Sequence, residues 1–400
     1  MTTGLKEKNV VLGVSGGIAA YKAVELLRLL VKAGAETRVV MTRNATRFVG
    51  PLTFEALSGR DVCVDLFDPH ESAGIRHIQW AEAADAVIVA PATANIIGKL
   101  ANGLADDALS TFMLAVTSPV MVCPAMNTNM YAAEAVQANL KALKQFGYTL
   151  LDPAAGELAC GTVGPGRLPE PEYIFDRFLH LISPKDLAGR QVLVTAGPTR
   201  ESIDPVRFIS NPSSGKMGYA IARAAEMRGA AVTLISGPVE IAPPNHVNVI
   251  AVETAAQMHD AVVRHAGDAG IIIKSAAVAD YAPAQAAPHK IKKTDGPETL
   301  VLERTQDILK SIAGNGKGRI TVGFAAETRD LDRNATEKLR TKQLDMLVGN
   351  LVGVDGSGFQ ADTNQVTLYF KDGTRIPLDK MAKSDLAHLI LDHVVQLAGR

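Results

Sequence analysis

Gly13-Val14-Ser15-Gly16-Gly17-Ile18 joins a β-branched run to a helical pattern, and at such a junction backbone N–H groups and the helix dipole favour an anion. A phosphate is what these residue types suit, and a Gly-rich turn without a ligand is the bland alternative. The G-x-G-x-x-G spacing is not met, and the next run ends in Val40-Met41-Thr42, where a dinucleotide fold wants an acid for the ribose. NAD is therefore disfavoured. The Thr42 hydroxyl suits a second phosphate contact, which points to a flavodoxin-like mononucleotide site. Pro91-Ala92-Thr93-Ala94-Asn95 directly follows another strand pattern, putting small and hydroxyl side chains where open α/β folds bind ligands. An N-capping turn fits it equally well. His77 lies three residues before Trp80, the single tryptophan, and Asn127 sits in Pro124-Ala125-Met126-Asn127-Thr128-Asn129-Met130. The Asn127 amide could hold a carboxylate or a carbonyl. Structural roles, a core histidine and a turn asparagine, are the alternatives.

The second half repeats the theme with different residues. Thr195-Ala196-Gly197-Pro198-Thr199-Arg200 runs through to Ser210-Asn211-Pro212-Ser213-Ser214-Gly215-Lys216-Met217-Gly218, again a strand, a long loop and a helix start. It is not a Walker A loop, because Met217 follows Gly215-Lys216 and Ser210 stands where the first glycine should be. Lys290-Ile291-Lys292-Lys293 follows Pro-containing sequence and is expected on an extended flap, with a solvated surface run as the alternative.

These residues need a frame that brings strand ends together. Apolar β-branched runs at Asn9–Val14, Thr37–Met41, Ala86–Ala90 and Val120–Cys123 alternate with helical patterns, as a parallel sheet requires. The first helix is expected to bury Ala20, Val24, Leu27 and Val31. Four glycines and four prolines between Asp152 and Pro171 predict a long loop without regular structure. Further strand signals at Gln191–Thr195, Ala231–Ile235, Gly270–Lys274, Ile320–Phe324 and Met346–Asn350 make the second half α/β as well, ending in a hairpin over 365–377 and a helix. The expected domains are 1–182 and 191–400, with 183–190 as linker.

Length and charge agree with this frame. Four hundred residues exceed what one core usually supports. With 47% hydrophobic and 21% charged residues the chain can bury sizeable cores. Forty-one Lys and Arg against 42 Asp and Glu give a net charge of -1, so no global basic field holds nucleic acid or a membrane, and any anion must be bound locally. The uncharged stretch from Ala108 to Ala133 is too interrupted by polar residues and prolines to span a membrane. No signal-peptide core precedes Ser15, and a cytoplasmic protein is expected. Cys63, Cys123 and Cys160 are too scattered for a disulfide framework or a zinc site.

Together Ser15-Gly16-Gly17, His77, the P-A-T-A-N and P-A-M-N-x-x-M segments and Glu157-Leu158-Ala159-Cys160-Gly161 resemble the flavin-containing cysteine decarboxylases, over roughly residues 5 to 182. Many relatives have Trp after the last motif Met, whereas this chain has Tyr131. The resemblance implies a flavodoxin-like fold that binds FMN through Ser15, Gly16, Gly17, Thr42, Pro91, Ala92 and Thr93. It implies His77 as base or orienting group, Asn127 on the substrate carboxylate, and Cys160 as proton donor on a loop that closes over the substrate. The chemistry is coherent. Loss of carbon dioxide from an acylated cysteine has no electron sink, and flavin oxidation of the thiol to a thioaldehyde supplies one before the flavin returns the hydride.

The ensemble A-G-P-T-R-E, D-P-V-R, S-N-P-S-S-G-K-M-G, A-A-V-A-D-Y, K-I-K-K and G-F-A-A-E-T resembles the phosphopantothenate–cysteine ligases over about residues 188 to 398. In this order the two halves resemble the bifunctional bacterial enzymes of coenzyme A biosynthesis. The resemblance implies a Rossmann-like α/β ligase domain that activates 4'-phosphopantothenate with CTP and Mg2+ and passes the acyl group to L-cysteine. The product, 4'-phosphopantothenoylcysteine, feeds the first domain. Ala276, Ala277, Val278, Asp280, Lys290, Gln306, Asp307, Ile308, Leu309, Phe324, Lys338 and Lys342 are implied as nucleotide contacts, with Phe324 on the base and Asp280 on ribose or metal. Lys290 would screen carboxylate from triphosphate, and Asn211 would orient the acyl-cytidylate. Gln306 replaces a proline of many relatives. The resemblance also implies a homo-oligomer, a dodecamer of decarboxylase trimers and ligase dimers. A flavin-binding regulatory subunit or a flavin-dependent prenyl-transfer protein would leave Cys160 or residues 188 to 398 unexplained.

Overall fold

The structure, a computed structural model, describes residues 5–66, 76–157, 163–293, 298–313, 318–327, 329–351 and 361–399. The chain divides into two compact units, Met1–Ser183 and Pro184–Arg400.

In the first unit the elements run β1 (Asn9–Val14), α1 (Ala20–Lys32), β2 (Glu36–Met41), α2 (Pro51–Ser58), β3 (Val62–Cys63), α3 (Arg76–Ala83), β4 (Ala86–Ala92) and α4 (Ala94–Asn102). They continue as α5 (Ala108–Ala115), β5 (Val120–Pro124), α6 (Thr128–Ala132), α7 (Glu134–Gln145), β6 (Thr149–Leu150), β7 (Ala154–Glu157), β8 (Val163–Arg167) and α8 (Pro171–Ile182). The sheet order is β3-β2-β1-β4-β5-β6 with all pairs parallel. Without the two-residue edge strand β3, the remaining five follow the flavodoxin order 2-1-3-4-5. Every residue of β4 is buried, as a central parallel strand covered on both faces demands.

Two expectations are corrected here. Helix α1 buries Ala23, Leu26, Leu27 and Leu30 rather than Val24 and Val31, and Val31 is 36% exposed. The larger leucine stripe wins the core face. The segment expected as an irregular loop holds an antiparallel hairpin of β7 and β8. Its glycines serve close approach: Gly166 has φ 144°, and a side chain there would run into the Met126 carbonyl. Residues 158–162, with Cys160, lie outside the described residues.

In the second unit the order is β9 (Gln191–Ala196), β10 (Arg200–Ser202), β11 (Phe208–Ser210), α9 (Lys216–Met227), β12 (Ala231–Ser236), β13 (Asn248–Ala251), α10 (Ala255–Ala266), β14 (Ile271–Lys274), β15 (Tyr281–Pro283) and β16 (Leu302–Arg304). There follow α11 (Ile308–Ile312), β17 (Ile320–Glu327), α12 (Leu331–Thr341), β18 (Met346–Leu351), β19 (Thr363–Asn364), β20 (Val366–Phe370), β21 (Arg375–Pro377), β22 (Met381–Ala382) and α13 (Lys383–Ala398). The main sheet reads β13-β12-β9-β14-β17-β18-β20-β21, parallel through β18 and antiparallel beyond. Its six parallel strands therefore follow the 3-2-1-4-5-6 doubly wound order. Alternate residues of β14 face opposite cores: Ile271 and Ile273 pack with α9 and α13, and Ile272 packs with α10, α11 and α12.

The segment expected as a linker is packed onto the second unit. Leu187 is 1% exposed, its N–H donates to the Arg228 carbonyl, and the Lys185 ammonium donates to the Met227 carbonyl. Arg228, 2% exposed, pairs with Asp186 and Asp392. Removing one partner of a buried arginine leaves its charge poorly compensated, and removing Leu187 opens a cavity. A fragment beginning at Gln191 should therefore be less stable than one beginning at Pro184 by at least about 3 kcal/mol. Urea unfolding of the two fragments measures this, and equal midpoints would refute the role given to 184–190.

Candidate functional site

In the first unit, β1 and β4 are neighbours whose following helices leave on opposite faces of the sheet, which opens a crevice at their carboxyl ends. Ser15 fixes its floor. The Ser15 hydroxyl donates to the Pro91 carbonyl at 2.7 Å, accepts the Thr93 N–H at 2.9 Å and lies 3.1 Å from the Thr93 hydroxyl. Thr93 is the N-cap residue of α4, yet its side chain makes no capping bond. The Ala90-Pro91 peptide is cis. A side chain at Gly16 would meet the Asn44 Cβ at 2.5 Å, so only glycine lets the two backbones approach. Thr42 is buried, and its hydroxyl accepts the Ala45 N–H at 3.3 Å.

These residues open into a cavity of about 930 Å³ whose lining includes Ser15, Gly16, Gly17, Thr42, Thr93 and Asn127. That volume lies at the upper end of the ordinary range for small-molecule sites. Pro91 and Ala92 do not reach the lining, and their part is to place Thr93. Asn127 is the N-cap of α6 and accepts the Asn129 N–H at 2.8 Å. His77 sits half-buried near the start of α3 and is not among the lining residues. Residues 67–75 before it lie outside the described residues.

The cavity also holds charges that no motif announced. Lys22 is 4% exposed, and its ammonium donates to the Leu168 carbonyl at 3.0 Å and to Glu170 at 2.9 Å. Lys99 pairs with Asp106 and Asp107, each at 2.6 Å. Burial opposes the Lys99 charge, but the two carboxylates outweigh it and hold its pKa above the usual lysine value. Lysines at these positions read in sequence as helix surface. Their pairing partners lie far away or beyond a turn, so periodicity cannot reveal them.

In the second unit the loop after β14 is pinned by hydroxyls. Thr195 accepts the Ala276 N–H at 3.1 Å, and Thr199 accepts the Ala279 N–H at 3.0 Å. The Ala277 N–H goes to the Gly197 carbonyl at 2.9 Å. Asn211 donates its amide to the carbonyls of Ala277 and Val278, both at 3.1 Å. The Asn211 donors expected to orient a ligand thus hold the Ala277-Val278 turn, and its carbonyl oxygen remains for a ligand. The N–H groups of Ala276, Ala277 and Ala279 are likewise engaged within the protein, and among the described residues none accepts the Val278 N–H, which is the backbone donor this turn keeps for a ligand. Ile308 and Leu309 are buried in the core, which limits them to backbone contacts.

The charged residues gather at the same sheet end. Asp307 caps α11 and pairs with Lys342. Burial alone would raise the Asp307 carboxyl, but Lys342, the Lys310 N–H and Lys274 hold it below the usual range. Lys338 donates to the Phe324 carbonyl at 2.8 Å, and burial pulls its pKa down. Phe324 is half-buried, while Gln306 and Asp280 are exposed. Lys290 is also exposed, but its neighbour Ile291 is tied to the buried carboxylate of Asp204, which accepts the Ile291 N–H at 3.2 Å, while Arg207 donates to the Ile291 carbonyl at 3.0 Å. Arg207 also clamps Asp204 through its guanidinium and keeps that carboxyl far below its ordinary value. The D-P-V-R motif thus straps down the flap that carries Lys290. Among the described residues no group of three or more His, Cys, Asp or Glu is placed to hold a metal, and no helix is long and apolar enough to cross a membrane.

Residues 1–183 match the family described as Flavoprotein, and residues 187–397 match the DNA/pantothenate metabolism flavoprotein C-terminal domain. The coenzyme A biosynthesis bifunctional protein CoaBC of Bacillus subtilis (strain 168) is 51% identical over 398 residues, covering 98% of both chains. That of Escherichia coli (strain K12) is 46% identical over 397 residues, covering 98% of this chain and 97% of its own. Among solved structures, the C-terminal domain of a coenzyme A biosynthesis bifunctional protein CoaBC is 43% identical, covers 54% of this chain and 98% of its own, and has a TM-score of 0.47. Identity of this degree along nearly the whole length of both relatives means that the chain belongs to the bifunctional proteins of coenzyme A biosynthesis, which join a flavoprotein decarboxylase domain to a ligase domain.

Proposed function

We propose that the first unit is an FMN-dependent phosphopantothenoylcysteine decarboxylase and the second a CTP- and Mg2+-dependent phosphopantothenate–cysteine ligase. The ligase joins 4'-phosphopantothenate to L-cysteine through an acyl-cytidylate, and the decarboxylase converts the product to 4'-phosphopantetheine. The observation that carries this reading is that each unit gathers residues suited to an anion beside its parallel sheet, Ser15 with Thr93 just after β1 and β4 in one, and Lys338 with Lys342 at the end of α12, held by the Phe324 carbonyl of β17 and by Asp307, in the other.

FMN fits the first cavity. The side-chain-free backbone at Gly16 and the hydroxyls of Ser15, Thr42 and Thr93 suit its phosphate, and a volume of about 930 Å³ accommodates a mononucleotide beside a substrate arm. Bound there, FMN supplies the oxidation of the substrate thiol and the return of the hydride. Asn127 binds the substrate carboxylate, His77 orients or deprotonates the thiol, and Cys160 gives a proton to the carbon that has lost carbon dioxide, the hydride being due at the neighbouring carbon that bears sulfur. In the ligase, Lys290 on its strapped flap screens the carboxylate from the triphosphate, and Phe324, Lys338 and Lys342 hold the nucleotide. Asp280 suits Mg2+, which binds through one or two carboxylates together with substrate phosphates. Exposed Val206, Phe208, Tyr281 and Val301 on the β-hairpins of the second unit support assembly into a homo-oligomer. A dodecamer is the proposed form, and a mass measurement in solution tests it. A cytoplasmic location follows from coenzyme A synthesis.

Incubation with 4'-phosphopantothenate, L-cysteine, CTP and Mg2+ should release pyrophosphate and carbon dioxide together, and omission of CTP should stop both. A protein that cleaves no CTP under these conditions lacks the ligase proposed here. Gly16→Val forces the 2.5 Å approach to Asn44 apart, so the purified variant should lose its bound flavin colour while ligation continues. Retention of full flavin absorbance would place the phosphate elsewhere. His77→Asn should lower carbon dioxide release by about 100-fold or more, the usual weight of acid–base catalysis, with pyrophosphate release unchanged. Cys160→Ala should accumulate the decarboxylated enethiol. Normal yields of phosphopantetheine from either variant would remove that residue from the mechanism.

A further inference from the structure

Lys274 ends the central strand β14, and neither the motifs nor the assignments above give it a task. Its place follows from parity. Ile271 and Ile273 pack on one side of the sheet, while Ile272, and therefore Lys274, belongs to the side covered by α10, α11 and α12. In register it stands between Thr195 of β9 and Gly323 of β17, so its flanks offer a hydroxyl already bonded to the Ala276 N–H and a position without a side chain. A lysine at the end of three isoleucines, half-buried between two other strands, is an expensive position for a charge.

Charged groups act on it from α11, from the end of α12 and from the segment after β14. Lys338 of α12 and Lys342 just beyond that helix repel it, while Asp307 at the start of α11 and Asp280 after β14 attract it. Neither acid neutralises it by direct pairing. Asp307 is taken by Lys342, Glu327 acts on Lys338, and among the described residues the Lys274 ammonium has no hydrogen-bond or ion-pair partner. Burial, reinforced by Lys338, pulls its pKa down to about 8. Three ammonium groups have thus been brought to one strand end, and one of them keeps all three of its N–H donors free.

We propose that Lys274 is a nucleotide-phosphate ligand of the ligase site, forming a three-lysine cradle with Lys338 and Lys342. This rests on the CTP-dependent reading of the second unit. The chemistry it recognises is a phosphate oxygen, which the substrates offer from two sources, the triphosphate and the phosphate of 4'-phosphopantothenate. The company of Phe324, Lys338 and Lys342 favours the triphosphate. A polyanion at the cradle must raise the pKa of Lys274, so CTP binding takes up a proton in the range where the free lysine is partly neutral. CTP affinity then falls as pH rises through about 8.

Titration calorimetry on the full-length protein, in two buffers of different ionisation enthalpy near pH 8, tests this with CTP and 4'-phosphopantothenate in separate arms. The wild type should take up roughly half a proton per CTP bound. Lys274→Met should weaken CTP by about 10- to 100-fold, the loss expected for one hydrogen bond between charged groups, with its proton uptake gone and phosphopantothenate binding unchanged. Lys274→Arg should stay within a few-fold of wild-type CTP affinity and show no uptake, because a guanidinium does not titrate there. Should Lys274→Met fail to fold, the arginine variant decides alone. Proton uptake that persists in it, or wild-type CTP affinity in a folded methionine variant, overturns the proposal. Weakening of phosphopantothenate instead of CTP overturns the nucleotide assignment. A wild type that releases no pyrophosphate from CTP refutes the ligase reading itself and is a distinct result.

Discussion

A loop that must present itself to a ligand at the end of a parallel sheet cannot leave its own N–H and C=O groups unpaired, and a buried hydroxyl is the smallest group able to satisfy both. Both units rely on it. Ser15 bridges the loop after β1 to the end of β4 and the residue after it by donating to Pro91 and accepting from Thr93. Thr195 near the end of β9 and Thr199 in the loop after it hold the loop after β14 by accepting from Ala276 and Ala279. Each bridge crosses the crevice where neighbouring connections diverge. Without it the loop would reach to solvent or to the ligand for its bonds, and the site would exist only when filled.

The bridges explain why unlike motifs occupy equivalent places. In each sheet the bridged strands are first and fourth among the six parallel strands, adjacent in space but separated by crossovers. The short Gly-rich turn of the first unit suits a close phosphate, with Gly16 against Asn44 setting the approach. The longer connection of the second unit inserts the β10–β11 hairpin and hands pinning duties to Thr199 and Asn211. One topology thus serves two ligands by changing loop length rather than sheet.

What could be read from the sequence follows the range of the interaction. Strand, turn and helix are local, so the two α/β sheets follow from spacing, and Ser15, Thr93, Asn127 and Asp307 each lie in a turn at the start of, or just before, a helix. Interactions across long sequence separations were illegible. Lys22 meets Glu170, and Arg228 meets Asp186 and Asp392, only after folding, and only then do the charges of Lys338 and Lys342 act on Lys274. The packed segment before Gln191 looked like a linker because Pro184 and Gly189 outweighed one buried leucine in composition. The β7–β8 hairpin looked irregular because its glycines answer to Thr128 and Met126, residues elsewhere in the chain.

The pairing of most backbone groups in the loop after β14 has a further consequence for how that site divides its labour. With the N–H groups of Ala276, Ala277 and Ala279 and two of the loop carbonyls already paired, the loop supplies a fixed surface but little charge. On the reading proposed for this unit, charge comes from side chains that stay unpaired or exchange partners, Lys274, Lys338 and Lys342 on the sheet side and Lys290 on the flap. The lysine stems are flexible, so precision has to come from what they stand on. Lys274 stands on the central strand, Lys338 on a helix end and on the Phe324 carbonyl. Lys290 stands beside Ile291, whose N–H and C=O are both gripped by the Asp204–Arg207 pair. A rigid neutral wall with charges mounted on separately braced elements can attract a polyanion without collapsing on itself when the polyanion leaves.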